Sequence, residues 1–467
     1  MSGDRELGYR SATDLVEAYR RKTLSPVEVS KAVLGRLERL EPKLNAFTHV
    51  DPESALAAAR ESEARWAKGA PKGLVDGVPT TVKDLLLTRG WPTMRGTRLA
   101  KREQDMSEDS PAVARLREHG AVLIGKTTTP EYGWKALGDS PLTGITRNPW
   151  SLDHTPGGSS AGAAASLAAG IGALAIGTDG GGSIRIPCAF TGLPGLKATF
   201  GRIPAYPPSA MGLLSHVGPM ARTVGDVALM LNVLAGTDPR DPYRLPAPAA
   251  DFRDGIDGGL RGLRIAYSRD LGYAKVDPEV AAAVDRAVAA LRETGAAIEA
   301  ADPGFASPRE AFLVLWSAGA ARVMAATTAA ERALMDPGFA ATIERGAKWS
   351  AVEYLDADAA RTELGQKMGA FHQTYDLLLT PTVAVPALPV GQDLTDAKTE
   401  RHWIDWTPFS YPFNMTRQPA ATVPCGLTKA GLPIGLQIVG RLYEEHLVLR
   451  AARAYEATRP AVWPALD

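Results

Sequence analysis

Two serines set in glycine-rich turns are the residues of this sequence best suited to nucleophilic chemistry. Ser159 lies in TPGGSS, and Ser183 follows three consecutive glycines in GTDGGGS. Glycine permits positive φ angles and close approach of the backbone, so Gly180, Gly181 and Gly182 can direct several N–H groups at one point. Such a group of donors forms an oxyanion hole or an anion-binding turn. The alternative interpretation is that both segments are ordinary glycine-rich turns that join secondary-structure elements.

Other catalytic patterns are absent from the sequence or poorly placed. It contains no nucleotide phosphate loop, no H-E-x-x-H zinc motif and no S-x-x-K motif, and its seven histidines show no metal-ligand spacing. Residues 158–162 fit the G-x-S-x-G motif, with Ser160 as the nucleophile. That motif must directly follow a buried strand, whereas here it follows the turn-rich segment NPWSLDHTPG. We therefore expect no metal, and we interpret the match at Ser160 as accidental.

Composition and length are those of a large globular protein without a strongly charged partner. The 467 residues include 52 basic and 52 acidic side chains, so nothing in the charge favours nucleic acid or an anionic membrane. The two cysteines, Cys188 and Cys425, are far apart and predict no disulfide framework. The polar N-terminal segment lacks the pattern of a signal peptide, and no window reaches the roughly 18 apolar residues of a membrane span. We expect a cytoplasmic protein.

Short apolar runs alternate with amphipathic helices along the chain. Ser25, Pro26 and Glu28 form a capping box with proline at the first helical position, and similar Ser-Pro or Asp-Pro starts recur at 51, 110, 277 and 307. The runs with strand character are 77–86, 121–126, 173–178, 263–268, 296–300, 375–383, 419–426 and 433–440. This alternation favours an α/β layer fold with a largely parallel sheet. No linker divides the chain, so we expect a single domain over 1–467, with a more variable helical region at about 241–406.

Three segments together resemble the amidase signature family. They are TPGGSS at 155–160, GTDGGGSIRIP at 177–187 and GLKATFGR at 195–202. The spacing of 24 residues between Ser159 and Ser183 is similar to that of the family's two catalytic serines, and Lys83 in TTVKD sits where the family has its catalytic lysine. PFNMTRQPAATVPCG and GLPIGLQIVG resemble its closing segment, so the likeness covers most of the chain. It implies a large mixed, mostly parallel central sheet covered by helices on both faces.

The resemblance implies hydrolysis of linear amides to acid and amine through an acyl-enzyme, without a cofactor. Ser183 would attack the carbonyl, while Ser159, which follows a cis peptide bond in the family, would relay its proton to Lys83. A lysine accepts a proton only when it is neutral, and an apolar strand end such as TTVKDLL favours that state by burial. The oxyanion-binding residues would be Gly180, Gly181 and Gly182, and the supporting residues Ser160, Asp179 and Arg185. A small amide is the expected partner, and the protein would be a monomer or homodimer.

Three positions depart from the family's usual pattern. Ala161 follows the double serine in place of glycine, Gly180 stands where threonine is common, and Arg417 replaces a common glycine. Because the backbone N–H is the functional group at position 180, glycine there retains the oxyanion donor. We expect Arg417 to alter the shape of its loop and not the chemistry.

The substrate and one related function stay open at this point. Aryl amides, esters and carbamates share the acyl-transfer geometry, and the family's alternative role is the glutaminase subunit of a tRNA-dependent amidotransferase. A catalytically inactive binding protein is a third possibility, which the intact lysine and serines disfavour. Aromatic residues that could line an apolar acyl pocket are Tyr132, Trp134, Trp316, Trp403 and Trp406. We interpret His216 as a packed or capping histidine and not as a general base.

Overall fold

The computed structural model describes residues 3–466 and is built around an 11-stranded sheet. The strands are β1 (Phe47–Val50), β2 (Pro79–Lys83), β3 (Val122–Thr127), β4 (Asp139–Ser140), β5 (Gly144–Ile145), β6 (Leu174–Asp179), β7 (Gly195–Lys197), β8 (His216–Ala221), β9 (Arg264–Tyr267), β10 (Ala297–Ala300), β11 (Leu377–Pro381), β12 (Ala420–Leu427) and β13 (Pro433–Gly440). Strands β4 and β5 form a separate two-stranded sheet.

Helices of very different length connect these strands. They are α1 (Gly3–Tyr9), α2 (Ala12–Arg20), α3 (Pro26–Leu44), α4 (Pro52–Ala67), α5 (Pro111–Glu118), α6 (Ala161–Ala168), α7 (Arg185–Thr191), α8 (Val224–Leu234), α9 (Pro278–Glu293), α10 (Arg309–Val323), α11 (Ala329–Arg332), α12 (Pro337–Gly346), α13 (Ala351–Thr374), α14 (Pro412–Met415) and α15 (Glu445–Glu456). Short 3-10 helices lie at Glu131–Gly133, Gly212–Leu214 and Trp403–Trp406. Within the described residues, every helix is too short or too polar to cross a membrane.

The large sheet is mixed, as the sequence predicted. Its strand order is β1-β3-β2-β6-β8-β7-β12-β13-β11-β9-β10. Strand β2 runs parallel to both β3 and β6, and β9 runs parallel to β10 and β11. Antiparallel pairing joins β1 to β3, β6 to β8, β8 to β7, β7 to β12, and β13 to both β12 and β11. Strand β2 therefore lies between two parallel neighbours, and its last residue is Lys83.

Helices pack on both faces of this sheet, because successive residues of a strand point to opposite sides. Leu377 and Leu379 of β11 belong to a core cluster with Val33 of α3 and Val284 of α9. The residue between them, Leu378, belongs to a second cluster, which includes residues of α10 and α13. The alternation of apolar side chains along β11 thus supplies both layers of the core.

The sequence located most of the sheet but missed three strands. Strands β1, β7 and β8 were not predicted, since β7 is only three residues long and β8 contains Gly218 and Pro219, which ordinarily interrupt a strand. The capping box at Ser25 is present as predicted. The region at about 241–406 contributes β9, β10 and β11 to the large sheet as well as α9 to α13. The single-domain organisation stays a prediction.

Candidate active site

Lys83 lies at the carboxyl end of β2, and hydroxyl groups surround its side-chain nitrogen. The side chain is fully buried, and Nζ lies 2.7 Å from Ser159 Oγ, 3.0 Å from Ser160 Oγ and 2.8 Å from Thr178 Oγ1. Among the residues that the structure describes, no carboxylate forms an ion pair with this lysine. Burial lowers the pKa of Lys83 well below its ordinary value, and the nearby charge of Asp179 opposes the shift only in part.

A second buried lysine on the neighbouring strand makes the contrast clear. Lys126 of β3 is also fully buried, but its Nζ lies 3.1 Å from a carboxylate oxygen of buried Asp84 and 2.8 Å from Thr93 Oγ1. Burial lowers the pKa of Lys126 too, while Asp84 favours its charged form. Lys83 therefore differs from Lys126 in having three hydroxyl partners and no carboxylate partner.

The two serine-bearing turns lie against each other. The backbone N–H of Ser160 donates to the carbonyl oxygen of Ser183 over 3.1 Å. Ser159 and Ser183 are both largely buried, and the peptide bond between Gly158 and Ser159 is cis. The structure therefore brings together all three residues that the sequence predicted to be catalytic.

Ser160 has a defined set of hydrogen bonds. Its hydroxyl donates to the carbonyl oxygen of Thr178 over 3.2 Å and accepts from Lys83 Nζ and from the Thr178 N–H. A Cβ at Gly177 would lie 2.9 Å from this hydroxyl, which explains the glycine at that position of β6. Thr178 is thus part of the lysine site. The sequence analysis did not single this residue out, and its position directly before Asp179 was the one signal that could have indicated its role.

Asp179 organises the glycine loop that follows β6. Its carboxylate accepts from the N–H of Gly182 over 2.8 Å and from that of Ile184 over 3.2 Å, while Arg185 donates to it through Nε and Nη2, both at 3.0 Å. Burial alone would raise the pKa of Asp179, but the Arg185 guanidinium and the side chain of Asn414 outweigh it and lower the pKa. Asp179 is therefore a buried anion that fixes the loop conformation.

Arg185 and Asn414 connect this carboxylate to the C-terminal part of the chain. Arg185 Nη1 donates to Gln437 Oε1 over 2.7 Å and to the Ser410 carbonyl over 2.9 Å, and Nη2 donates to Asn414 Oδ1 over 2.7 Å. Asn414 Nδ2 in turn donates to Asp179 Oδ1 over 2.8 Å. The sequence predicted supporting roles for Asp179 and Arg185 but missed their distant partners. The resemblance of PFNM to the closing segment was the one available signal.

Aromatic side chains pack closely on the glycine loop. A Cβ at Gly180 would lie 3.1 Å from Trp316, and one at Gly181 would lie 2.9 Å from Phe312 and 3.0 Å from Trp403. Distances this short exclude larger residues at these positions unless the aromatic rings move. Two of the five predicted pocket aromatics therefore contact the loop directly.

The other three predicted aromatics have different surroundings. Trp134 is buried in a stack with Phe339, and Trp406 is buried against Phe190, with its indole N–H donating to the Asp393 carbonyl. Tyr132 stacks on Phe339 and lines a cavity of about 330 Å³ that reaches Thr178. This cavity is largely apolar, and Arg95 is the one charged residue among the described residues that line it.

The loop that carries Tyr132 passes over the lysine site. Tyr132 and Gly133 have successive positive φ angles of 50° and 70°. A Cβ at Gly133 would lie 3.0 Å from Ser159 Oγ and 3.0 Å from Leu85. Glycine at this position thus permits the backbone to approach the Ser159 hydroxyl.

His216 is packed, as the sequence analysis expected. Its Nδ1 lies 2.9 Å from the Leu214 carbonyl, and burial together with the adjacent Lys197 lowers the pKa of His216 well below its ordinary value. Within residues 3–466 there is no group of three or more histidine, cysteine or acidic side chains arranged to hold a metal ion.

Comparison with known proteins shows the family. The model of the Amidase family matches residues 28–449. The chain belongs to the amidase family. An acylamidase from Rhodococcus erythropolis is 37% identical over 98% of this chain and 97% of its own. A glutamyl-tRNA(Gln) amidotransferase subunit from Chloroflexus aggregans is 35% identical over 97% of this chain and 96% of its own.

Solved structures agree with this assignment. A bacterial aryl acylamidase of the amidase signature family superposes with a TM-score of 0.91 at 32% identity, covering 97% of this chain and 96% of that one. A 6-aminohexanoate cyclic dimer hydrolase superposes with a TM-score of 0.89 at 29% identity, covering 98% and 99%. This amidase is therefore an amide-hydrolysing enzyme with the predicted fold.

Proposed function

We propose that this amidase hydrolyses small linear amides through an acyl-enzyme on Ser183, with Lys83 as the base and Ser159 as the proton relay. The observation that carries the proposal is the 2.7 Å contact between Lys83 Nζ and Ser159 Oγ in a buried site without a carboxylate partner. A buried amine with a lowered pKa is available as a base, whereas a lysine held in an ion pair is not.

The hydrogen-bond inventory around Nζ supports the direction of proton transfer. A neutral amine has two N–H groups and one lone pair. Ser160 already donates its hydroxyl hydrogen to the Thr178 carbonyl, so it receives one N–H of Lys83 as an acceptor. Thr178 Oγ1 receives the second N–H. The lone pair is left for the hydroxyl hydrogen of Ser159, which is the arrangement that a relay requires.

Each step conserves protons. Lys83 takes the proton of Ser159 as Ser159 takes that of Ser183, and Ser183 Oγ bonds to the amide carbon. The resulting oxyanion accepts hydrogen bonds from the N–H groups of Gly180, Gly181 and Ser183. Gly182, which the sequence analysis counted among the donors, is the exception, because its N–H already donates to Asp179 over 2.8 Å. The proton then returns through Ser159 to the amine nitrogen, the C–N bond breaks, and the amine leaves. Water, activated by the same residues, cleaves the acyl-enzyme and releases the acid.

The surroundings of the site favour an apolar substrate. The cavity beside Thr178 is mostly apolar, and the glycine loop packs on Phe312, Trp316 and Trp403. We infer that aryl or alkyl amides, and esters or carbamates of similar shape, are hydrolysed faster than glutamine. The similarity to an acylamidase and to an aryl acylamidase supports this substrate class.

The glutaminase role remains the second candidate, because relatives at 35% identity are amidotransferase subunits. Release of ammonia from glutamine, compared with hydrolysis of a panel of anilides, alkyl amides, esters and carbamates, separates the two functions. Gel filtration of the purified chain tests the predicted monomer or homodimer, and cell fractionation tests the predicted cytoplasmic location.

Covalent labelling tests the assignment of the nucleophile. After reaction with a fluorophosphonate or phenylmethylsulfonyl fluoride, peptide mass spectrometry should locate the adduct on Ser183. Ser160→Ala is the matched control and should still be labelled. An adduct on Ser160 in the wild type would contradict the proposal and support an α/β-hydrolase type of nucleophile.

A further inference from the structure

A cavity that Lys83 does not line has two arginines, Arg361 and Arg417, among its lining residues. It has a volume of about 380 Å³ and lies between α13 and the segment after α14. Arg361 of α13 pairs with Asp358, whereas Arg417 forms no ion pair with any residue in the described part of the chain. Burial and the nearby Arg361 charge both lower the pKa of Arg417. The two guanidinium groups therefore act on each other without full compensation.

The neighbouring Thr416 is a second, independent indication of a ligand. Thr416 is among the residues that line the same cavity and is only 7% exposed, and its enclosed hydroxyl has no hydrogen-bond partner in the structure. Buried hydroxyls are ordinarily hydrogen-bonded, because an unpaired one loses its contact with water without compensation. The described residues of this cavity thus include Arg417, whose guanidinium makes no ion pair, and in the cavity wall Thr416, whose hydroxyl has no partner.

Arg417 is held in an unfavourable backbone conformation at this cavity. Its φ angle is +64°, a region that glycine occupies readily and that a residue with a Cβ enters at a cost. The guanidinium lies over the Phe200 ring at 5.4 Å, and the Arg417 carbonyl accepts from the Phe200 N–H. Contact with the ring face leaves the guanidinium N–H groups in its plane available, since a cation–π contact uses none of them.

We propose that this cavity binds an oxyanion, a carboxylate or phosphate carried by a small organic molecule, between Arg361 and Arg417. Arginine matches both oxyanions with paired N–H groups, and Thr416 adds a third donor. Within residues 3–466, the charged and titratable groups that act most on Arg417 are Arg361, Asp358, Tyr243 and Tyr443, and Asp358 is the anion of this set at neutral pH. The rim carries exposed Tyr243, Leu442 and Tyr443, which suit the organic part of the ligand. The proposal concerns a site separate from the hydrolytic one.

Calorimetric titration with inorganic phosphate, phenyl phosphate and phenylacetate tests this site, in buffers matched for ionic strength with sodium chloride. The wild type should bind at least one of these anions saturably, and the aromatic anions should bind more tightly than inorganic phosphate. Binding of phenyl phosphate alone would identify phosphate as the recognised group, and binding of phenylacetate alone would identify carboxylate.

Three variants and one control locate the binding. Arg417→Gly and Arg361→Gln should each weaken it by about tenfold or more, since each removes charge-assisted hydrogen bonds. Thr416→Val should weaken it severalfold without lowering the thermal midpoint, because the hydroxyl has no partner to lose. Arg322→Gln, which removes the same charge beside the neighbouring cavity, should leave it unchanged.

The design separates loss of the ligand from loss of the fold. Glycine suits the backbone of residue 417, so Arg417→Gly should keep or raise the thermal midpoint. If that variant nevertheless failed to fold, Arg361→Gln and Thr416→Val would decide. The proposal is overturned if the wild type binds none of the three anions, or if binding is unaffected by the substitutions in the cavity.

Discussion

Replacing Lys83 by methionine should abolish amide hydrolysis and change how stability depends on pH. Methionine is similar in length but cannot accept a proton. Because general base catalysis contributes roughly 10²–10⁴-fold, and because this lysine would both activate Ser183 and protonate the leaving amine, we expect kcat/KM for an anilide to fall by at least about 10³-fold. An ester of a good leaving group should lose less, since its alkoxide or phenoxide departs with little help.

The effect on stability follows from the pKa of Lys83, which folding lowers well below 10.5. Between the folded-state pKa and 10.5, the unfolded chain binds a proton that the folded chain does not. The free energy of unfolding of the wild type therefore rises with pH in this window, by about 1.4 kcal/mol per pH unit from this group. Lys83→Met lacks this contribution. Its stability relative to the wild type should thus be greatest at the lower end of the window and decline towards pH 10.

Loss of the three hydroxyl contacts acts in the opposite direction but does not depend on pH. Each hydrogen bond that Nζ makes to Ser159, Ser160 or Thr178 contributes about 0.5–1.5 kcal/mol. The sign of the difference at a single pH is therefore not diagnostic. The informative quantity is the change in this difference with pH below 10.5, measured by urea unfolding of both proteins at a series of pH values.

Lys126→Met is the matched control, because it removes a buried lysine from the adjacent strand. It leaves Asp84 buried without its cation, so it should destabilise the protein by about 3–5 kcal/mol. A stability difference for Lys83→Met that shows no change with pH below 10.5, or near-normal anilide hydrolysis by that variant, would show that Lys83 is a structural cation and refute the reasoning.

Three further predictions concern Gly133, Asp179 and the effect of metal chelators. Gly133→Ala should lower kcat by tenfold or more, because its Cβ would crowd the Ser159 hydroxyl. Covalent labelling of Ser183 should change little. A normal kcat would contradict this prediction. Asp179→Asn leaves Arg185 without a buried anion and should cost about 3–5 kcal/mol in urea unfolding, whereas Arg20→Gln, on the surface, should cost less than about 1 kcal/mol. Activity should survive EDTA and phenanthroline, and restoration of lost activity by zinc would contradict a metal-free mechanism.

Local signals in the sequence indicated which residues lie together at the candidate site better than they indicated the residues that support it. Ser159 and Ser183 could be predicted because glycine-rich turns mark them, and Lys83 because it ends an apolar strand in a matching motif. Gln437 and Ser410 lie far along the chain from Arg185, so nothing local to either residue indicates the hydrogen bonds they share. Partners brought together only by the tertiary fold leave no periodic or spacing pattern in one sequence.

The strands that were missed had a different cause. Strand β8 pairs with β6 along its whole length, yet its sequence, HVGPMA, contains the two residues that most weaken a strand prediction. A Cβ at Gly218 would collide with the Leu196 carbonyl, so close packing between neighbouring strands requires glycine there. The local propensity of this segment is thus overridden by the sheet that surrounds it.

The same close packing explains why the glycine loop and the aromatic cluster form one unit. Gly181 approaches Phe312 and Trp403 so closely that even a methyl group would collide with them, and its carbonyl accepts from the Ser410 hydroxyl. The glycine loop, which we propose binds the oxyanion, is therefore positioned from one side by Asp179 and from the other by side chains of the region at about 241–406. A change of aromatic residue that reshapes the acyl pocket should consequently also shift the oxyanion donors. Specificity and rate in this amidase are for that reason expected to change together when Phe312 or Trp403 is replaced.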